Sequence, residues 1–243
     1  MKTTAHLFTT ILSTLILAGG NHQAMAGDLS NFSTISQTEF LSLSKDIAAA
    51  ASTKPVEPAT PMGVTGFDVS GSTALTQTQA TSAWSKVTGS DTKHLPLIKL
   101  SATKGLPWGL DVGVFTAKLP TTNITVNGVH AKYALIDGNS VMPAVALRAS
   151  HSRINGVSQM DLNNTSYDVL ISKGFVGFTP YAGVGTVRSK ADAKGVSTLT
   201  GESFNQQKTF VGASWNVLLL NLSGEYDRTG QASTYSLKAG LRF

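Results

Sequence analysis

The chain has no cysteine, and beyond residue 26 it has no apolar run as long as a membrane-spanning helix. The first absence excludes a disulfide framework, a thiol nucleophile and a cysteine metal site. The second means that only strands could carry this chain across a membrane, because a helical span needs about 20 apolar residues. Charge is also scarce, at 14% of residues with a net charge of +5. So small and dispersed an excess does not predict a nucleic-acid partner, which needs a basic patch.

Residues 1–26 have the pattern of a secretory signal peptide. Lys2 provides the positive start, residues 7–18 form the apolar core, and Ala24-Met25-Ala26 is a small-residue cleavage site. The mature protein is therefore predicted to begin near Gly27. An exported chain without disulfides needs a large core or a closed sheet to hold it together.

A short amphipathic helix is predicted over residues 36–51. Ser36 and Glu39 form a capping box, in which each side chain bonds the backbone N–H of the other residue. The apolar residues of the helix share one narrow stripe at helical spacing, and they are Phe40, Leu43, Ile47 and Ala51. So narrow a stripe predicts a docking helix and not a core helix.

The helix belongs to a predicted N-terminal periplasmic segment, residues 27–61, that ends in a proline-rich linker. Prolines at 55, 58 and 61 exclude a helix there and favour an extended chain. The linker leads directly into the sheet of residues 62–243. We therefore expect the helix to dock at or just inside the periplasmic mouth of a barrel, as a plug.

From Gly63 onward the apolar pattern has a period of two, which indicates strands. Val129 to Leu135 alternate cleanly, but Ile124 and Val126 are out of phase with them, which predicts a bulge near Asn127-Gly128. The first strand alternates poorly because of its glycines. The predicted strands lie near 63–75, 95–104, 109–118, 123–137, 142–153, 161–173, 177–190, 205–216, 218–228 and 232–243.

The last of these strands alternates without a break and ends on an aromatic residue. Tyr235, Leu241 and Phe243 lie on its apolar face and are predicted to form an assembly signal for the barrel-assembly machinery. Short and longer connections alternate along the chain, as periplasmic turns and external loops do in outer-membrane barrels. The pattern predicts an all-β fold: a ten-stranded antiparallel transmembrane β-barrel in the cell outer membrane, surrounded by outer-membrane lipids.

Several segments resemble a family of uncharacterised proteobacterial outer-membrane barrel proteins. The resemblance spans essentially the whole mature chain and implies location and fold, but no activity. It rests on the segments FLSLSKD (40–46), GVTGFDV (63–69), KYAL (132–135), PAVALR (143–148), ISKGF (171–175), TPYAGVG (179–185) and DRTG (227–230).

Charged residues on the polar face of the strands predict a network inside the barrel. Charges of both signs in a narrow lumen satisfy one another, because an unpaired buried charge is costly. The functional alternative is the selectivity lining of a small pore. The predicted members are Lys99, Asp111, Lys132, Arg148, Asp168, Glu225, Lys238 and Arg242.

The sequence supports an enzyme site less well than it supports this charge network. His151 and Ser152 suggest a lipid A deacylase, but adjacent strand residues point to opposite faces. A rim protease of the omptin type would draw on Asp161, Asp192, Asp227, His94 and His151, whose spacing is not diagnostic. Asp227 is better explained as part of a hairpin turn in which Gly230 takes a positive φ.

No catalytic residue, metal or other cofactor is predicted, since the histidines at 94, 130 and 151 are scattered. The predicted function is non-enzymatic: envelope structure, or restricted transport of a small solute or lipid. The alternatives are a rim-active hydrolase and binding or adhesion through the loops at 76–94 and 190–204. The oligomeric state stays open.

Overall fold

The computed structural model describes Leu29, residues 31–139 and residues 141–243. The predicted signal peptide lies outside this range. Within it, ten antiparallel strands form one closed barrel in which each strand pairs with its neighbours in sequence and β1 pairs with β10. The strands are β1 Phe67–Gln77, β2 His94–Gly105, β3 Leu110–Lys118, β4 Thr125–Ile136, β5 Ala144–Asn155, β6 Met160–Ser172, β7 Phe178–Ala193, β8 Glu202–Val217, β9 Leu220–Thr229 and β10 Ala232–Arg242.

Two α-helices accompany the barrel: α1, Gln37–Ala51, and α2, Thr81–Thr88. One-turn 3₁₀ segments lie at Phe32–Thr34 and Pro107–Gly109. The helix α2 lies in the connection between β1 and β2, which the sequence pattern predicted only as a loop. No helix among the described residues is long and apolar enough to cross a membrane.

The last strand closes the barrel, as its alternation predicts. Asp68 of β1 lies opposite Arg242 of β10, and the pairing continues to Thr76 opposite Thr234. Phe67, the first residue of β1, and Phe243, just past the end of β10, exchange backbone hydrogen bonds of 2.9 and 3.0 Å. Their rings stack in parallel with centroids 6.2 Å apart. Closure leaves no unpaired sheet edge.

The two faces of the wall differ in chemistry. Outward-facing side chains such as Leu100, Val129 and Val169 are apolar and exposed, whereas inward-facing ones such as Ser166, Asp168 and Thr234 are polar and buried. An apolar band around a closed antiparallel barrel is how outer-membrane proteins cross their bilayer. The chain is thus an outer-membrane β-barrel protein.

The two ends of the barrel also differ. The two longest connections, 78–93 and 194–201, lie at one end, which we call the long-loop end. The other end, called here the short-turn end, carries Phe67, Phe243 and the turn at 218–219. In outer-membrane barrels short turns face the periplasm and long loops face outside.

The predicted bulge near Asn127-Gly128 is wrong. The pairing of β3 with β4 is regular from Thr125 to Tyr133, and the irregularity of β4 lies at 134–136 instead. Ile124 and Val126 point into the barrel, where they are buried in its hydrophobic core. Ile124 and Val126 therefore look out of phase because the lumen becomes apolar toward the long-loop end.

Candidate functional site: the filled lumen

The N-terminal segment runs through the barrel from the long-loop end to the short-turn end. At the long-loop end, the Phe32 N–H donates to Gln159 Oε1 at 3.0 Å. Midway, the Ser152 hydroxyl donates to the carbonyl of Ala51 at 2.8 Å. Near the short-turn end, the Met62 N–H donates to Asp111 Oδ1 at 3.1 Å. The chain then turns into β1.

This path corrects the expected docking of the helix. The helix α1 lies in the half of the lumen toward the long-loop end, not at the periplasmic mouth. The prediction went wrong because it placed the linker outside the barrel. Residues 52–62 form no helix, as expected, but they run inside the lumen, and a chain of that length covers much of the height of the barrel.

Local sequence determines how α1 begins. Ser36 forms the expected capping box, accepting from the Glu39 N–H at 3.3 Å while Glu39 Oε2 accepts from the Ser36 N–H at 2.9 Å. Glu39 Oε1 also accepts from the Lys86 ammonium at 2.7 Å. The Lys86 bond and then the Ser36 N–H hold the pKa of Glu39 below its ordinary value.

The apolar stripe of α1 packs inside the barrel wall. Phe40 and Leu43 are fully buried, and the Phe40 ring meets Phe32 edge-on with centroids 6.1 Å apart. The wall contributes inward-facing apolar residues from several strands, namely Leu95, Leu97, Phe115, Val126, Ile154 and Leu162. Together they form the main hydrophobic core, so α1 is a core helix and the expectation of a docking helix is wrong.

A buried carboxylate links α1 to the longest loop. Asp46 Oδ2 accepts from the backbone N–H groups of Gln79 and Ala80 at 2.8 and 2.9 Å, and from Trp84 Nε1 at 3.0 Å. The indole of Trp84 is itself buried. The plug helix thereby fixes the start of α2, and the two helices cover the long-loop end.

Lysines of the wall hold the linker in the other half of the lumen. Lys132 Nζ donates to the carbonyls of Pro58 and Thr60 at 2.9 and 3.3 Å, and Lys208 Nζ donates to that of Thr53 at 3.0 Å. Prolines have no N–H, so a proline-rich chain offers more acceptors than donors. Ammonium groups supply the missing donors.

Ion pairs join these lysines and the other lumen charges. Lys132 lies 3.1 Å from Asp111 and 3.7 Å from Glu57. Asp168 lies 2.8 Å from Arg148 and 3.5 Å from Lys208. Both clusters are almost completely buried.

The remaining predicted charges are placed as follows. Lys99 faces inward and donates to the carbonyl of Lys54. Glu225 accepts from the Tyr181 hydroxyl at 3.0 Å, and Lys238 lies 3.2 Å from Asp68. Arg242 lies at the short-turn end and is half-buried.

The predicted charge network omits several groups that the structure places in the lumen. Lys208 follows the same alternation in β8 and could have been found from it. Lys54 and Glu57 were assigned to a periplasmic linker, so their place inside the barrel could not be anticipated. Asp227 was expected at a rim or in a turn, but it is buried on the inner face of β9. Gly230 does take the expected positive φ, 61°.

The rim candidates form no shared site. His151 is exposed on the outer wall, 3.1 Å from the Thr165 hydroxyl, whereas Ser152 is buried in the lumen. The strand geometry thus separates the pair, as adjacent positions require. Asp161 lies opposite Asp192 in the sheet. Each is paired with a cation, Asp161 with Lys194 at 2.6 Å and Asp192 with Lys190 at 3.2 Å.

A small cavity lies beside the N-terminal segment. It has a volume of about 20 Å³ between Ala51, Lys99 and Phe115, which is room for a single water molecule. A larger cleft, of about 690 Å³, opens at the long-loop end between α1, α2 and the first part of β8. Its walls carry the charged residues Glu39, Lys45 and Asp46 and many hydroxyl and amide side chains, including Thr38, Ser42, Gln79, Asn205, Gln207 and Gln231.

Comparison with protein-family models and with curated proteins finds no match. Among solved structures, the chain is similar to the translocator domain of autotransporter NalP from Neisseria meningitidis, at 10% identity and a TM-score of 0.39, over 85% of this chain and 96% of that one. It is also similar to the KdgM porin, at 9% identity and a TM-score of 0.39, over 72% of this chain and 99% of that one. A third similar structure is the Acinetobacter baumannii outer membrane protein Omp33, at 8% identity and a TM-score of 0.33, over 77% of this chain and 100% of that one. Likeness this low carries no information on function.

Proposed function

We propose that this protein is a closed, non-enzymatic barrel of the bacterial envelope, of the proteobacterial family that its sequence segments resemble. The observation that carries the proposal is the threaded N-terminal segment. The helix α1 fills one half of the lumen and the linker fills the other. Wall lysines bond directly to the linker backbone, with Lys132 to Pro58 at 2.9 Å and Lys208 to Thr53 at 3.0 Å.

The buried, paired charges of the lumen favour a structural role over a role in transport. A selectivity lining needs charges that face water and a moving solute. Here Lys132, Arg148, Asp168 and Lys208 are buried and bonded to one another or to the plug. Breaking such a pair leaves a buried charge uncompensated, which opposes movement of the plug.

Conductance in a planar bilayer tests this proposal. The native protein is expected to insert without discrete current steps. A double variant, Lys132→Ser with Lys208→Ser, removes both lysine contacts to the linker and is expected to show brief openings. Exposed lysines, changed as Lys190→Ser with Lys194→Ser, serve as the control and should stay silent. Steady current steps from the native protein would instead support restricted transport.

We also propose that the barrel-assembly machinery reads the closing strand through Tyr235, Leu241 and Phe243. Tyr235 and Phe243 are exposed on the outer wall. Replacing Leu241 and Phe243 with serine removes lipid-facing apolar area that contributes about 1.5 to 3 kcal/mol per side chain. We expect assembly in cells to fail, measured as loss of the heat-modifiable form from outer-membrane fractions.

The matched control exchanges Thr73 for serine on the outer face of β1, and should assemble normally. The purified Leu241→Ser, Phe243→Ser variant should still refold partly in detergent, which separates assembly from stability. Normal insertion of that variant in cells is incompatible with a C-terminal assembly signal.

Binding at the long-loop end is the second candidate function, because of the cleft of about 690 Å³ found there. That volume lies within the range of small-molecule sites. Its many hydroxyl and amide side chains, beside Glu39 and Lys45, suit a polar, hydroxyl-rich ligand such as an oligosaccharide. A glycan array tests it: Ser42→Trp should abolish any binding that Ser42→Ala retains. An array on which the native protein binds nothing speaks against this function.

A further inference from the structure

The direction in which the N-terminal segment threads the barrel has a consequence for topology. Residues 62–66 lie at the short-turn end, where Phe67 starts β1 beside Phe243. Leu29 and residues 31–37 lie at the opposite end. There Gln37 contacts Thr200, in the connection between β7 and β8, and Glu202, the first residue of β8. The segment therefore crosses the full height of the wall once.

Contacts at the long-loop end hold the start of this segment in place. Leu29, Phe32 and Ile35 are buried in the core beneath the loops. The Phe32 N–H bonds to Gln159, which lies in the connection between β5 and β6. Ser33 and Thr34, between the buried residues, are exposed. The entry of the chain into the barrel is thus part of the surface at this end.

The described part of the segment does not turn back inside the barrel. The wall around it is a continuous ladder of paired strands, and residues 31–66 run through it in one direction. The start of the segment, residues 31–36, therefore lies on the side of the long loops.

We propose that the barrel displays the start of its enclosed segment, residues 31–36, on the outer face of the outer membrane. A peptide placed ahead of Leu29 is then carried to the cell surface. The protein is in this respect a display scaffold: α1 and the linker act as an anchored stalk inside the wall. The proposal rests on the path of the chain and not on the conductance of the lumen.

Single cysteines test the topology directly, because the native chain has none. Ser33→Cys reports on the start of the segment, and Ser90→Cys, in the exposed loop between β1 and β2, marks the long-loop end. Val176→Cys, in an exposed turn, marks the short-turn end. Ala59→Cys is buried in the lumen and reports on unfolded protein. Each variant is first checked for heat-modifiable mobility.

Intact cells are then treated with a maleimide coupled to a polymer too large to pass through porins. We expect Ser33→Cys and Ser90→Cys to be labelled in intact cells, Val176→Cys only after the outer membrane is permeabilised, and Ala59→Cys only after denaturation. Labelling of Ser33→Cys only after permeabilisation would overturn the proposal. So would labelling of Val176→Cys in intact cells, because it would mean that the barrel has the opposite orientation.

A second measurement uses an epitope peptide inserted ahead of Leu29, detected on intact cells by an antibody. Surface staining is expected, and the same epitope inserted at Val176 should stain only permeabilised cells. Should the native protein conduct while Ser33→Cys is labelled from outside, the closed-barrel function fails and the display topology stands. The two proposals can therefore fail separately.

Discussion

Replacing Lys132 with methionine is expected to destabilise the folded barrel by about 3 to 5 kcal/mol, the usual cost of breaking a buried ion pair from one side. Lys132 is fully buried and lies 3.1 Å from Asp111 and 3.7 Å from Glu57. Methionine keeps the length of the side chain but leaves both carboxylates uncompensated. It also removes the donor to the carbonyls of Pro58 and Thr60. The shift in denaturant midpoint of the detergent-folded protein measures the effect.

Two comparison variants define the cause. Lys86→Met removes the exposed pair with Glu39 on the outer surface and should change the midpoint little, because exposed pairs contribute little. Adding Asp111→Asn and Glu57→Gln to Lys132→Met removes the stranded charges and should restore part of the lost stability. An unchanged midpoint for Lys132→Met alone would show that this cluster does not hold the plug.

The second large effect is expected for Phe40→Ala, which should cost about 3 to 5 kcal/mol, as is usual when a buried phenylalanine is truncated. The side chain is fully buried between α1 and the wall, edge-on to Phe32. The cavity left behind should loosen the helix inside the barrel. A cysteine introduced at Ile47 is then expected to react with a small maleimide faster than in the parent.

Ser42→Ala is the matched control for Phe40→Ala, because Ser42 lies on the exposed side of the same helix and bonds only to the carbonyl of Thr38. It should leave both the unfolding midpoint and the reactivity at position 47 unchanged. If Phe40→Ala behaves like this control, the stripe of α1 is not what anchors the plug.

The strands and the beginning of the helix were predictable because local rules decide them. Alternation with a period of two follows from the geometry of a strand, and it placed all ten strands close to their observed bounds. The capping box of Ser36 and Glu39 likewise involves residues three apart. The closing strand was found for the same reason, since Tyr235 to Phe243 alternate without interruption.

The contents of the lumen were not predictable in this way. Ile124 and Val126 looked out of phase because a polar lumen was assumed, whereas the plug makes that part of the lumen apolar. Asp227 resembled a turn residue, and its burial depends on a partner, Lys54, that comes from the other end of the chain at 3.9 Å. No local pattern links positions so far apart.

The sequence by itself thus determined that the chain is a ten-stranded barrel, which side chains of most strands face lipid, and where the helix begins. These features depend on neighbours within a few residues. Only the tertiary structure decided which end of the barrel the helix occupies and which charges pair inside it. Both depend on threading residues 31–66 through a closed wall. The free energy of that arrangement comes from contacts between segments more than a hundred residues apart, such as Ala51 with Ser152.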